Sequence, residues 1–285
     1  MNSTVFVIFV IVVLPILSVV FGFVSRRINP DVPFREWRAS WFQGLSTEMA
    51  GAFIAAVLLT VLLGIIQDNE NQRQIKQDLL VRMGSGSNEV AIEAVRQLKE
   101  NGWITDDTLD GGDFSGADLS HAQLEYAHLQ NTIFNRANLQ GIILSNATLI
   151  DAQMEEAHLE QANLMNANLT GANLQGAFLT QIDLTGANLS QADLRDVTVD
   201  IFTFDGADLT GADLGGLNLL NAHLKGTILV GTKLQGTILA GVDLTGKDLT
   251  GAIIDDTTVF TGNTILPDGN QWVSGTDMTQ FTGGK

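Results

Sequence analysis

Gln161-Ala-Asn-Leu-Met-Asn-Ala-Asn-Leu-Thr-Gly-Ala-Asn-Leu174 repeats itself every five residues, and its phase extends far in both directions. From Phe114 to Leu249 every fifth residue is large and apolar, 28 in succession, of which 23 are Leu. The others are Phe114, Phe134, Met154, Val199 and Phe204. Two residues before each stands a small one, Ala in 16 of the 28 cases. No simple element has this period. In an α-helix five residues advance about 500°, so the Leu row would wander around the cylinder. In a strand, residues five apart point to opposite faces. The Leu and Ala rows both face inward only if the chain bends once per repeat. Gly often falls in the intervening pair, as at Gly171, Gly176, Gly206 and Gly211, and eases that bend.

The segments Ala172-Asn-Leu-Gln-Gly176 and Ala207-Asp-Leu-Thr-Gly211 resemble the pentapeptide repeat family. The resemblance covers about half of the chain. It implies an all-β solenoid, a right-handed quadrilateral parallel β-helix with four repeats to a 20-residue coil and about seven coils; at strand spacing that is a rod of about 34 Å. The chain looks most like membrane-anchored bacterial members, of cyanobacterial type. A 20-residue coil makes residues 20 apart stacked neighbours. Ile142, Ile182, Phe202 and Val242, bulky residues at the small inward position, then belong to one column, which should have a roomier corner.

Outside the repeat, two apolar runs read as membrane spans. Val5–Val24 holds 20 residues without a charge, and Met49–Ile66 holds 18, close to the ~20 that cross a bilayer as a helix. They predict a membrane protein with two spans, contacting lipid through residues 5–24 and 49–66; that the membrane is bacterial is what the resemblance implies. Gly44, Gly51 and Gly64, with Ala50, Ala52, Ala55 and Ala56, offer small surfaces for pairing of the spans or for a homo-oligomer. Arg26, Arg27, Arg35 and Arg38 lie between the spans, and Arg73, Lys76 and Arg82 follow the second. The positive-inside bias, four against three, puts the loop 25–44 in the cytoplasm and the repeats outside. Between anchor and repeats, Asn69–Met83 and Asn88–Asn101 have helical spacing. The second helix, with Val90, Ala91, Ala94, Val95 and Leu98 on its apolar face, is placed to cap the solenoid, which needs terminal caps. Ser87 or Asn88 would cap its start and Gly102 its end. The organisation expected is thus anchor 1–67, helical connector and cap 68–108, repeats 109–260, and C-terminal cap and tail 261–285. In that tail Leu266-Pro-Asp-Gly269 is a turn sequence, Trp272 and Phe281 can close the last coil, and the remainder is polar and reads as mobile.

Function is less legible. The chain carries a formal net charge of −17, and residues 109–254 hold 17 acids against 5 bases. Such a surface gains nothing from phosphate counterion release, so direct nucleic-acid binding is not expected. The absence of Cys removes disulfides and thiolate chemistry. His121, His128, His158 and His223 never differ by a multiple of 20, so none stack, and no metal or cofactor site is predicted. Asp193 and Asp213 do stack, and Asn168, Asn188 and Asp208 form another row, but a convex rod has no cleft in which paired carboxylates become an acid and a base. No catalytic residues are assigned. The outward apolar residues are the candidate interaction surface: Phe178, Leu220 and Ile238 on one column, and Ile150, Ile228 and Val230 on what reads as its neighbour. The chain thus reads as a non-catalytic, membrane-tethered scaffold for a protein partner. The alternative is an acidic DNA mimic that inhibits a DNA-binding enzyme such as a gyrase.

Overall fold

The computed structural model describes residues 34–199, 204–220 and 222–283, and the chain divides into two units, Met1–Asn71 and Gln72–Lys285. The first expected span, 5–24, lies outside the described residues. The second lies within helix α1, Phe34–Met83. The expected helix Asn69–Met83 is continuous with that span: no Gly or Pro interrupts residues 67–83, and α1 ends at Gly84. In the first unit, Ile54, Leu58, Leu59, Leu62, Leu63 and Ile66 are all more than half exposed. Among the described residues one helix, Ile54–Met83, is long and apolar enough to cross a membrane, and its apolar window is 0% buried.

In the second unit, the last turns of α1 bury Leu79 and Met83. Helix α2, Asn88–Glu100, buries Ala91, Ala94, Val95 and Leu98, whereas Val90 turns to solvent, 38% exposed. Ser87 holds the N-cap position without a side-chain bond to the helix. Asn88 does not cap the helix either: its Nδ2 donates to the Ser120 carbonyl at 2.9 Å and so ties α2 to the first coil. The C-terminus is a Schellman motif: Gly102 at φ +74° donates to Lys99 O, and Trp103 donates to Leu98 O.

The repeats build a solenoid whose rungs are parallel bridges 20 residues apart, from Asp113–Ile133 to Lys233–Ile253. Each side pairs through one residue only, because the chain turns again before a strand can extend. The inward Leu residues and their small partners form one continuous core, with Phe114, Phe134 and Phe204 fully buried. Ile142, Ile182 and Val242 are buried in one column as the spacing predicts; Phe202 lies outside the described residues.

Both ends are closed by backbone. The first coil's Asp118 and His128 amides donate to Ser85 O and Ile104 O of the connector. At the far end the register lengthens, so that Ile238 pairs with Val259 and Asp243 with Ile265. Val259, Ile265, Pro267 and Thr282 supply carbonyls to Leu239, Leu244, Gly246 and Gly251. The tail closes the last coil, and the closure takes in Thr282, from the part read as mobile. Gly269 donates to Leu266 O, completing the turn read at Leu266–Gly269, and Phe260 stacks on Trp272 at 5.9 Å.

Candidate interaction surface

Within each repeat the residue two after the large Leu-type residue is the corner. Its φ is positive, between +53° and +75°, at every described corner from Gly111 to Gly251. Among the described residues twelve such corners carry side chains, from His121 to Asp196, and beyond residue 203 the left-handed corners are Gly. The first half of the solenoid therefore stands long polar side chains over its edges, and the second half leaves bare backbone. The residue before each Leu faces outward and is often Asn or Asp. Its Oδ1 accepts the amide two residues on, as in Asn168–Thr170 at 3.2 Å, Asn188–Ser190 at 3.0 Å and Asp208–Thr210 at 2.9 Å. These Asx turns are the physical reason for the Asn/Asp preference, which the sequence reading registered only as rows.

The same asymmetry appears in charge. Residues 109–203 carry 12 acids against 2 bases, and residues 204–254 carry 5 against 3. Among the described residues from 204 to 260, Leu220 is 53% exposed, Ile228 45%, Ile253 45% and Val259 44%. Ile238 is half-buried and forms the rung between Asn218 and Val259, so Leu220, Ile238 and Val259 make one apolar strip. No charged residue occurs in 214–222 or 234–242 along that side.

The six residues read as a surface from the sequence are not equivalent. Leu220 and Ile228 are exposed, while Phe178, Ile238, Ile150 and Val230 are half-buried. Phe178 lies under the His158 ring, stacked at 4.6 Å with planes 8° apart. The two groups do not lie on neighbouring columns. Their rungs, His158–Phe178 and Asp208–Ile228, are two repeats apart in a four-repeat coil, so they occupy non-adjacent sides. Ile253 and Val259 were missed because the period was fading there; the signal was an apolar residue in the outward position normally held by Asn or Asp.

The stacked carboxylates are paired. Asp193 and Asp213 form a rung, Arg195 binds Asp193, and Lys233 Nζ lies 3.2 Å from Asp213 Oδ2. The hydrogen bond from Arg195 holds the Asp193 carboxyl below its ordinary range. Glu156 pairs with Arg136 at 2.7 Å and Glu125 with Lys99 at 2.8 Å. On α2, Arg96 bridges Glu93 and Glu100, and its hydrogen bond draws Glu93 down to about 2. Among the described residues no group of three or more His, Cys, Asp or Glu could hold a metal ion.

The sequence model described as pentapeptide repeats matches in eight copies, over residues 108–136, 122–161, 162–198, 204–239 and 227–258. Similar solved structures include HetL, a pentapeptide repeat protein involved in heterocyst differentiation regulation from the cyanobacterium Nostoc sp. strain PCC 7120. It is 33% identical over 57% of this chain and 86% of its own, with a TM-score of 0.32. Rfr23, from the cyanobacterium Cyanothece 51142, is 25% identical over 53% of this chain and 90% of its own, TM-score 0.29. QnrB1, a plasmid-mediated fluoroquinolone resistance protein, is 18% identical over 56% and 84%, TM-score 0.32. No curated protein matches the chain at a comparable level.

Proposed function

Because the chain belongs to the pentapeptide repeat family, whose repeats imply a right-handed β-helix-like solenoid, we propose that it is a non-catalytic scaffold, tethered to a membrane and binding a protein partner through the sides of its solenoid. The observation that carries the docking half of this reading is the strip Leu220, Ile238 and Val259, outward and apolar on a side without charge in residues 214–222 and 234–242. A closed core with small, filled interior positions leaves recognition to the outward side chains. The exposed apolar helix 54–66 supports the tether, since large exposed apolar surfaces are covered by lipid or by partners. With the run 5–24 it would make a two-span anchor, and the bias of Arg26, Arg27 and, at the start of α1, Arg35 and Arg38 favours the repeats on the non-cytoplasmic side.

The acidic surface does not favour a DNA mimic in preference. Asp193, Asp213, Glu125 and Glu156 each lie against a base, whereas a phosphate-like array needs unpaired charge. The test is affinity capture with the full-length protein solubilised from membranes. A specific partner should be recovered and lost on Leu220→Asp or Val259→Asp; equal recovery by both variants would overturn the assigned surface. A reporter fused to the C-terminus separately tests the side of the membrane.

A further inference from the structure

The fourth side of the solenoid carries Ala127, Ala147, Ala167, Ala187, Ala207 and Thr227 at its small inward position, and then Lys247. The rungs of this side are unbroken from His128–Thr148 to Asp208–Ile228. Ile228 and Asp248 form no rung. By the register of the column the Asp248 amide would donate to the Thr227 carbonyl, as Ile228 does to Ala207 at 3.0 Å and Asp208 to Ala187 at 3.0 Å. Instead the Lys247 ammonium donates to that carbonyl, Nζ to O 3.2 Å.

Charge accounts for the break, which also takes in the preceding side, where His223 and Asp243 form no rung. Inward positions of this solenoid also hold Ile142, Leu217 and Val242, but an ammonium cannot enter an apolar core without its hydration. The chain therefore swings out at Lys247, and Nζ takes a backbone carbonyl left free by the displaced strand. Burial pulls the Lys247 ammonium below its ordinary range, while Asp205 and Asp243 act in the other direction. Just past the break the tail takes over: the Gly251 amide donates to Thr282 O at 2.7 Å, in helix α3, Thr279–Thr282, and Phe281 packs against the core.

We propose that Lys247 is a charge-operated stop: its ammonium holds the last rung of this side open, so that the C-terminal segment closes the side where another coil would otherwise stack. The stop separates the repeat run from the tail and makes the tail's docking sensitive to the charge at residue 247. Neutralising that charge by mutation lets the rung close.

Backbone hydrogen exchange in the full-length protein tests this, read on peptides covering residues 226–252. Lys247→Met and Lys247→Ala should slow exchange at Leu229 and Asp248 by about tenfold or more. Lys247→Arg should exchange like the parent. Removing residues 276–285 should speed exchange over 246–252 in the parent and do so less in Lys247→Met. Unchanged exchange in both the Met and Ala variants would overturn the proposal, and so would equal slowing in Lys247→Arg, which would point to packing without charge.

Discussion

At the corners, a single torsion decides what a residue costs. Gly206 has φ +71°, and a Cβ added there would meet Gly186 Cα at 3.7 Å, ordinary contact with no clash. Gly206→Ala should therefore destabilise by about 1 kcal/mol from the left-handed backbone alone, seen as a lower thermal midpoint with unchanged far-UV circular dichroism. The Gly residues that the sequence reading assigned to the bend sit at these corners. Other residue-scale features were illegible. Thr227, Thr232 and Thr237 counted merely as small, yet each is buried and sends Oγ1 to a carbonyl 23 residues upstream, Thr237 to Leu214 at 2.8 Å. Spacing shows that a side chain faces inward; it does not show which carbonyl its hydroxyl finds. Lys247 entered only as a charge, although it breaks the small-residue row.

Among the elements, α2 links sequence pattern to cap most directly. Its apolar spacing and its terminal Gly102 were readable because both are local rules. Its attachment was not, because Asn88 reaches residues 118 and 120, contacts that no local pattern contains. Leu98 is 0% exposed, so Leu98→Ala should cost about 2–5 kcal/mol. Because the cap covers the first coil, the loss should appear first as faster amide exchange around Asp118 and His128, before the middle coils respond. α1 taught a different lesson. Apolar residues give way to polar ones after Ile66, which reads as a boundary, but a change of composition does not end a helix when no Gly or Pro follows before Gly84.

For the whole molecule, the repeated Asx turns add up to a pH dependence. Asp113, Asp243 and Asp248 accept side-chain hydrogen bonds from Ser115, Thr245 and Thr250, then backbone amides from the same residues, and each is held below its ordinary value of 3.8. A carboxylate depressed in the folded state contributes stability that is fully present above its unfolded value and is lost as pH falls through the lower folded one. The thermal midpoint should therefore fall as pH drops below about 4. Asp113→Asn, Asp243→Asn and Asp248→Asn combined should flatten that acid limb, since Asn keeps the accepting oxygen and does not titrate. An acid limb of unchanged slope in the triple variant would assign the effect to other groups. This collective property follows from position within the repeat, so it becomes legible once the corner geometry is known.

The four-sided coil has one more consequence, for insertions and deletions. Each repeat is one quarter of a circuit, and each coil leans only on its neighbours. Adding one five-residue unit upstream of Leu220 would leave the core pattern intact while turning everything downstream by a quarter of a circuit. The strip Leu220, Ile238 and Val259 would then face a different direction relative to the N-terminal coils. A twenty-residue unit would restore its facing and shift it along the axis by one strand spacing, about 4.8 Å. If a partner bridges both halves of the solenoid, a five-residue insertion near residue 203 should abolish binding with little loss of thermal stability, and a twenty-residue insertion should recover part of it. Length in this fold works as an angle, and the repeat count is a heritable setting of where the surface points.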